Sequence, residues 1–224
     1  MIPEVRVLVF ARAPVPGAAK TRLAGVLGPN GAASLQAWLT VHALRTARDS
    51  GLGPVELWCA PNCGHRLFRR LRRWAGFALR EQHGPELGAR MAGALGTALD
   101  RAPAAVLIGT DCPALHPTLL RRAAGALAEV DAVFAPAEDG GYVLVGLRRP
   151  APELFQGIDW GTGRVWRQTL RRLRTHGLRW TALPPLPDLD RPEDLRRSLP
   201  PPISRRIAIL QRNRKTARTP GWRP

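Results

Sequence analysis

Apolar and polar positions along this chain follow two periods in turn. Glu4–Ala11 (EVRVLVFA) is a β-rich apolar run that predicts a buried strand. Ala13–Gly28 is rich in proline and glycine and predicts a loop with a short turn. Pro29–Ser50 sets Leu35, Leu39, Ala43 and Ala47 at helical spacing, with a cap near Asn30 and a stop at Gly51. Val55–Ala60 predicts a second strand, His65–Trp74 a strongly basic helix and Phe77–Glu81 a short strand. Leu87–Leu99 predicts a helix with Leu87, Met91, Leu95 and Leu99 on one stripe. Further on, the pattern predicts strands at Ala104–Ile108, Ala132–Ala135, Tyr142–Leu147 and Leu178–Leu183, and helices at Thr118–Ala128 and Thr162–His176.

Strands and helices that alternate in this way make an α/β fold, with a mostly parallel central sheet and helices on both faces. The short glycine-containing turn between Ala135 and Tyr142 allows one antiparallel pair. Residues 1–200 are expected to form a single domain. Residues 201–224 are expected to form a basic tail, poorly ordered from about Asn213.

The formal net charge is +17, and all but two of the 34 basic residues are arginine. That bias, with abundant Ala, Gly and Pro, fits a GC-rich genome as well as it fits a function. A basic surface suits polyanions such as nucleotides, phosphorylated substrates or nucleic acid. The acids, however, gather in loops at strand ends, where a nucleic-acid groove would avoid them, so nucleic acid is not the expected partner. No apolar run reaches the roughly 18 residues of a membrane span. Met1–Arg12 carries Glu4, lacks a basic start and runs into a strand, unlike a signal peptide. A cytoplasmic protein with no membrane span is expected. Three cysteines do not make a disulfide framework, and Cys59, Cys63 and His65 have no second ligand pair to complete a zinc site.

The chemistry lies where strands end. VLIGTDCPAL (Val106–Leu115) drives a buried-looking strand into Asp111, and Pro113 fixes the turn beyond it. In open α/β sheets the ligand crevice lies at the carboxyl ends of the strands. A carboxylate there suits a divalent cation shared with ligand phosphates, or simply caps the next helix. PVPGAAKTRL (Pro14–Leu23) follows the first strand, so Lys20, Thr21 and Arg22 could hold phosphates. It has neither Walker A nor dinucleotide-fingerprint spacing. EDGGY (Glu138–Tyr142) is a tight turn or a site where Asp139 takes a proton from a hydroxyl. In DLDRPEDL (Asp188–Leu195), Asp188 and Asp190 point the same way if the segment is extended, and Pro192–Asp194 reads as the first turn of a short helix.

The blocks FARAPVPGAAKTRLA, ELGARM, LIGTDCPAL, APAEDGGYVLVGL, LFQGIDWGTGRV and LPDLDRPEDL, in that order over roughly Val5–Arg197, resemble the DUF2064 family. Its members are often described as rSAM/selenodomain-associated or arsenosugar-biosynthesis glycosyltransferases. The resemblance implies a Rossmann-like GT-A fold of the nucleotide-diphospho-sugar transferase superfamily. It implies nucleotide and phosphate contacts at Pro14, Gly17, Lys20, Thr21, Arg22 and Arg90. Asp111 matches the superfamily's metal-binding aspartate, with Asp188 or Asp190 to complete a Mg²⁺ or Mn²⁺ site. Gly140, Gly141, Tyr142, Trp160 and Thr162 fall on the acceptor side, with Asp139 as the base. Arg12, Glu86 and Arg191 stand where the family usually has lysine, aspartate and threonine. Asp111 is also a single carboxylate rather than a D-x-D pair.

The expected function is therefore metal-dependent transfer from a nucleotide-activated donor to a small-molecule acceptor. Sugar transfer from a nucleotide-sugar leads. Nucleotidyl transfer from an NTP to a phosphorylated molecule is the alternative, and a non-catalytic nucleotide or nucleic-acid binding module is a third reading.

Overall fold

The computed structural model describes residues 4–196 and 201–217. Seven strands form one sheet: β1 (Val5–Arg12), β2 (Val55–Ala60), β3 (Ala78–Glu81), β4 (Ala104–Ile108), β5 (Ala132–Pro136), β6 (Tyr142–Leu147) and β7 (Trp180–Ala182). Their order is β3-β2-β1-β4-β6-β5-β7. β1 pairs in parallel with β2 and β4, β2 with β3, and β5 with β7. β6 runs antiparallel to both β4 and β5. The expected antiparallel hairpin is thus present, and its second strand is wedged into the middle of the sheet. β4 is buried along its whole length, which is why AAVLI shows no alternation.

Both faces are covered. α1 (Ala24–Asp49), α2 (Arg66–Ala75) and α4 (Pro117–Ala126) pack Ala43, Leu44, Phe68, Leu119 and Leu120 onto one face of the sheet. α3 (Leu87–Leu99) and α5 (Val165–Thr175), with a short 3-10 turn at Pro152–Phe155, pack Met91, Leu95, Leu154, Phe155 and Leu173 onto the other. The basic helix α2 keeps its arginines outward because Phe68 is the side chain it buries completely.

Two expectations need correction. α1 begins at Ala24 rather than Pro29. Gly28 interrupts it at φ 73°, ψ 161°, and Pro29 restarts it with a φ already suited to a first turn. The segment expected to open a basic tail instead forms α6 (Pro201–Ala217). Ile203, Ile207 and Leu210 are buried there against Leu23, Leu27, Leu35, Leu39 and Leu189. Those three apolar residues make one helical stripe, and the density of arginine around them obscured it. Residues 218–224 of the expected tail lie outside the described residues.

Candidate functional site

The parallel strands all end at one edge of the sheet, and the loops that leave them enclose a cleft of about 800 Å³. Its walls come from four stretches: Arg12–Arg22, Gly109–Asp111, Ala137–Val143 and Asp188–Asp190. Arg90 and Gln82 line it from the side of β3 and α3. Backbone bonds fix how the last stretch arrives. Leu186 N–H donates to Pro136 O at 3.0 Å and Glu138 N–H to Leu186 O at 3.2 Å, so the late acidic segment runs beside the end of β5. Leu189 N–H then donates to Asp111 O at 2.8 Å. Residues 78 positions apart in sequence become neighbours through main-chain bonds alone.

Lys20 is the centre of the arrangement. It sits in the left-handed region (φ 48°, ψ 45°) just before a 3-10 turn at Thr21–Leu23, and its side chain is 2% exposed. Its Nζ donates to Leu189 O at 2.5 Å and lies 2.9 Å from Asp111 Oδ1 and 3.5 Å from Asp190 Oδ1. An ammonium has three N–H donors, and three acceptors surround this one. Lys20 was expected to meet ligand phosphates; it lines the cleft, and its ammonium also ties three loops together. Arg22, more than half exposed, donates to Asp190 Oδ2 at 2.5 Å. Both oxygens of Asp190 are therefore engaged by cations.

The other acids differ in their surroundings. Asp139 Oδ1 accepts from Gly141 N–H at 2.9 Å, a local turn that leaves the exposed carboxylate at the cleft wall. Asp194 Oδ2 accepts from the backbone N–H groups of Asp190 and Arg191 at 3.0 and 2.7 Å, which secures the start of the 3-10 turn Pro192–Arg196, the short helical turn that the sequence suggested. Half-burial, and then the nearby charge of Asp139, push the Asp188 carboxyl up to about 6. Burial pushes the Cys112 thiol up to about 12, which keeps it in its unreactive form beside the site.

Of the residues singled out from sequence, Lys20, Thr21, Arg22, Arg90, Asp111, Asp139, Gly141, Tyr142, Asp188 and Asp190 line the cleft. Pro14 and Gly17 do not; they shape the loop that carries Lys20, with Gly17 at φ 81°. Gly140 is also absent from the walls. It is pressed against Gly163, whose carbonyl oxygen would lie 2.4 Å from any added Cβ. Trp160 and Thr162 were expected on an acceptor wall, and neither lines the cleft. Trp160 stands edge-on to Tyr142 and closes over Gly88, while Thr162 donates to Asp159 O at 2.8 Å and shapes the turn before α5. Their neighbour Gly161 reaches the wall.

Sequence reasoning missed Gln36 and Thr110. Gln36 Nε2 donates to Thr110 Oγ1 at 3.0 Å, and Thr110 Oγ1 to Asp111 Oδ1 at 3.2 Å. A signal was present: Gln36 is a polar residue inside the apolar stripe of α1.

Among the described residues no group of three or more His, Cys, Asp or Glu side chains is arranged to hold a metal ion. The donor set nevertheless suits Mg²⁺ shared with a ligand, which takes one or two carboxylates and completes its shell with phosphate oxygens and water. Asp111 is half exposed and, among the described residues, is held through Oδ1, and Asp188 is half-buried beside another acid. These two fit better than Asp190. No helix among the described residues is long and apolar enough to cross a membrane.

No curated protein matches the chain significantly. Solved structures do. A candidate nucleotide-diphospho-sugar transferase from Desulfovibrio desulfuricans G20 is 30% identical, with a TM-score of 0.80 over 94% of this chain and 97% of that one. The inositol-1-phosphate CTP transferase from T. maritima is 12% identical, with a TM-score of 0.57 over 94% and 97% of the two chains. Rv0371c from Mycobacterium tuberculosis H37Rv, solved in complex with manganese, is 21% identical, with a TM-score of 0.53 over 88% and 98%. These likenesses establish the nucleotide-diphospho-sugar transferase fold. The family model described as "uncharacterized protein conserved in bacteria (DUF2064)" matches residues 43–162, and with the 30% identity across nearly the whole of a relative it shows that the chain belongs to the DUF2064 family.

Proposed function

We propose that the protein is a transferase that uses a nucleotide-activated donor, and that its reaction is sugar transfer from a nucleotide-sugar to a small-molecule hydroxyl acceptor. The observation that carries this reading is the arrangement of charge in the cleft. A half-exposed Asp111, anchored through one oxygen, lines the same cleft as Asp188, Arg22 and Arg90. Arg90 uses Nε on Gly84 O at 2.9 Å, which leaves the two terminal nitrogens of its fork for a phosphate. The likeness to a candidate nucleotide-diphospho-sugar transferase at 30% identity supports the same donor class.

A divalent cation held by Asp111 and Asp188 would supply Lewis-acid neutralisation of the diphosphate. Arg22 and Arg90 would share that charge, and electrostatic stabilisation of this kind is usually the largest catalytic contribution. Asp139, whose charge reaches Asp188, lines the same cleft and serves as the base. The acceptor oxygen attacks the anomeric carbon and its proton passes to Asp139. The bond from that carbon to the phosphate oxygen breaks, and the nucleoside diphosphate leaves with the electron pair.

Nucleotidyl transfer is the second reading, favoured by Asp111 standing alone without a D-x-D partner. There a substrate phosphate attacks the α-phosphorus of an NTP, pyrophosphate leaves, and no protein base is needed. The inositol-1-phosphate CTP transferase shows that the fold accommodates a CTP-dependent enzyme.

A thermal-shift screen tests both. Nucleotide-sugars and nucleoside triphosphates are compared with and without Mg²⁺ or Mn²⁺, beside Asp111→Ala. A ligand at 100 times its dissociation constant adds about 2.7 kcal/mol of stability. Metal-dependent stabilisation by a nucleotide-sugar, lost in the variant, supports sugar transfer. The same response to an NTP alone supports nucleotidyl transfer. No response to any nucleotide removes both.

A further inference from the structure

Gln36 is 4% exposed on the apolar side of α1, and Thr110 is 6% exposed at the end of β4. A buried amide or hydroxyl is costly unless its hydrogen bonds are satisfied. Here each satisfies the other, and the direction of the chain is fixed by chemistry. An ionised carboxylate only accepts, so the single Thr110 proton goes to Asp111 Oδ1 at 3.2 Å. The Thr110 oxygen is then left to accept, and Gln36 Nε2 fills it from 3.0 Å. Lys20 Nζ reaches the same Oδ1 at 2.9 Å. Both inner donors thus converge on one oxygen of Asp111, while the carboxylate as a whole stays half exposed at the cleft wall.

We propose that Gln36 and Thr110 are positioning residues that lock the Asp111 carboxylate, with Oδ1 anchored in the protein and Oδ2 presented to the donor's phosphates and their cation. The proposal rests on the reading of Asp111 as the carboxylate that meets those groups. It assigns to the buried face of α1 a part in the site. A helix selected only for packing would put leucine or alanine at position 36, as it does at Ala32, Leu35 and Leu39. Partners that orient a cation-binding carboxylate typically account for about 10–100-fold in affinity or activity.

The test uses the whole chain and four variants: Thr110→Val, Thr110→Ser, Gln36→Glu and Asp111→Ala. Thr110→Val keeps the shape and removes the relay. Thr110→Ser keeps the hydroxyl. Gln36→Glu keeps the volume but accepts the Thr110 proton, so Asp111 loses it. Mn²⁺ with inorganic pyrophosphate is the probe, followed by electron paramagnetic resonance of the free ion. Thr110→Val and Gln36→Glu should bind Mn²⁺ about tenfold more weakly than wild type, Asp111→Ala should lose it, and Thr110→Ser should stay within about twofold. Crystal structures of the Thr110→Val and Thr110→Ser variants should show Asp111 turned away from its Lys20 contact in the first and held in the second. Wild-type affinity in Thr110→Val, or an unmoved Asp111 carboxylate in its structure, overturns the proposal. If wild type takes up no Mn²⁺ with pyrophosphate, the metal in the transferase reading fails, while the two structures still decide whether the relay positions Asp111.

Discussion

The ammonium of Lys20 lies 2.9 Å from Asp111 Oδ1, with the lysine side chain almost wholly buried and the carboxylate half exposed. One cation therefore fixes the inner side of the site while the outer side stays open to a ligand. The same Nζ holds Leu189 O at 2.5 Å, so the loop after β1, the end of β4 and the late acidic segment meet at one atom.

Lys20→Met should leave Asp111, Asp190 and Leu189 O short of a donor. Removing one partner of a buried ion pair typically costs 3–5 kcal/mol, and the exposure of Asp111 reduces that to about 2 kcal/mol here. The expected fall in Tm is roughly 4–8 °C for a chain of this size, measured by calorimetry. Lys20→Arg should not restore it, because a planar fork cannot replace a compact ammonium among three converging acceptors.

The raised Asp188 carboxyl makes stability pH-dependent. Between its ordinary value of 3.8 and its folded value of about 6, the native state holds a proton that the unfolded chain has released. Stability should therefore fall as pH rises through that window and level off above it. Asp188→Asn should abolish the fall and leave the variant the more stable protein at neutral pH, as read by urea unfolding from pH 4 to pH 8. Divalent-cation affinity in wild type should rise through the same window, since cation and proton compete for one carboxylate.

Gly140→Ala should be severe and Gly161→Ala mild. Both glycines have positive φ, at 90° and 79°. A Cβ on Gly140 would meet Gly163 O at 2.4 Å and its Cα at 2.7 Å, whereas nothing lies within 4 Å of one on Gly161. The backbone conformation alone costs about 1–2 kcal/mol, so Gly161→Ala should lose about that much and Gly140→Ala clearly more. Chemical denaturation of the two variants gives the comparison. Gly140→Ala should also weaken acceptor affinity, because the turn that it distorts carries Asp139.

Leu189→Ala should damage the site from behind. Leu189 is fully buried beneath Ile203, Ile207 and Leu210 of α6, and its backbone bonds both Asp111 and Lys20. Emptying such a position costs about 2–5 kcal/mol. Ile207→Ala should act in the same direction, and Ile209→Ala, at 41% exposure, should change stability by less than about 0.5 kcal/mol. Unfolding midpoints and nucleotide affinity, measured on all three, should move together for the first two and not at all for the third.

Local pattern was enough to place the elements of the sheet. Leu87–Leu99, Ala104–Ile108 and Tyr142–Leu147 fold over the very residues that their periodicity marks, because each carries an apolar face wide enough to decide its own conformation. That Asp111, Asp139, Asp188 and Asp190 gather at one cleft was legible too, since their blocks fall in loops that leave the strands. The inward contacts of Lys20 were not. Its sequence context offers it to phosphates, and only the arrival of Leu189 and Asp190 beside Asp111 gives its ammonium partners within the protein. Gln36 stood out only as a polar residue in an apolar stripe, and its pairing with Thr110 was not legible, because a hydrogen bond across 74 positions leaves no periodic trace. The helix α6 was hidden by composition, its three apolar anchors spread among arginines whose charge says nothing of what the opposite face buries. Sequence alone determined where the strands and most of the helices lie and which loops carry acid and base. The tertiary structure decided which of those charges neutralise one another and which remain for a ligand, because that balance depends on distances between loops that no local pattern encodes.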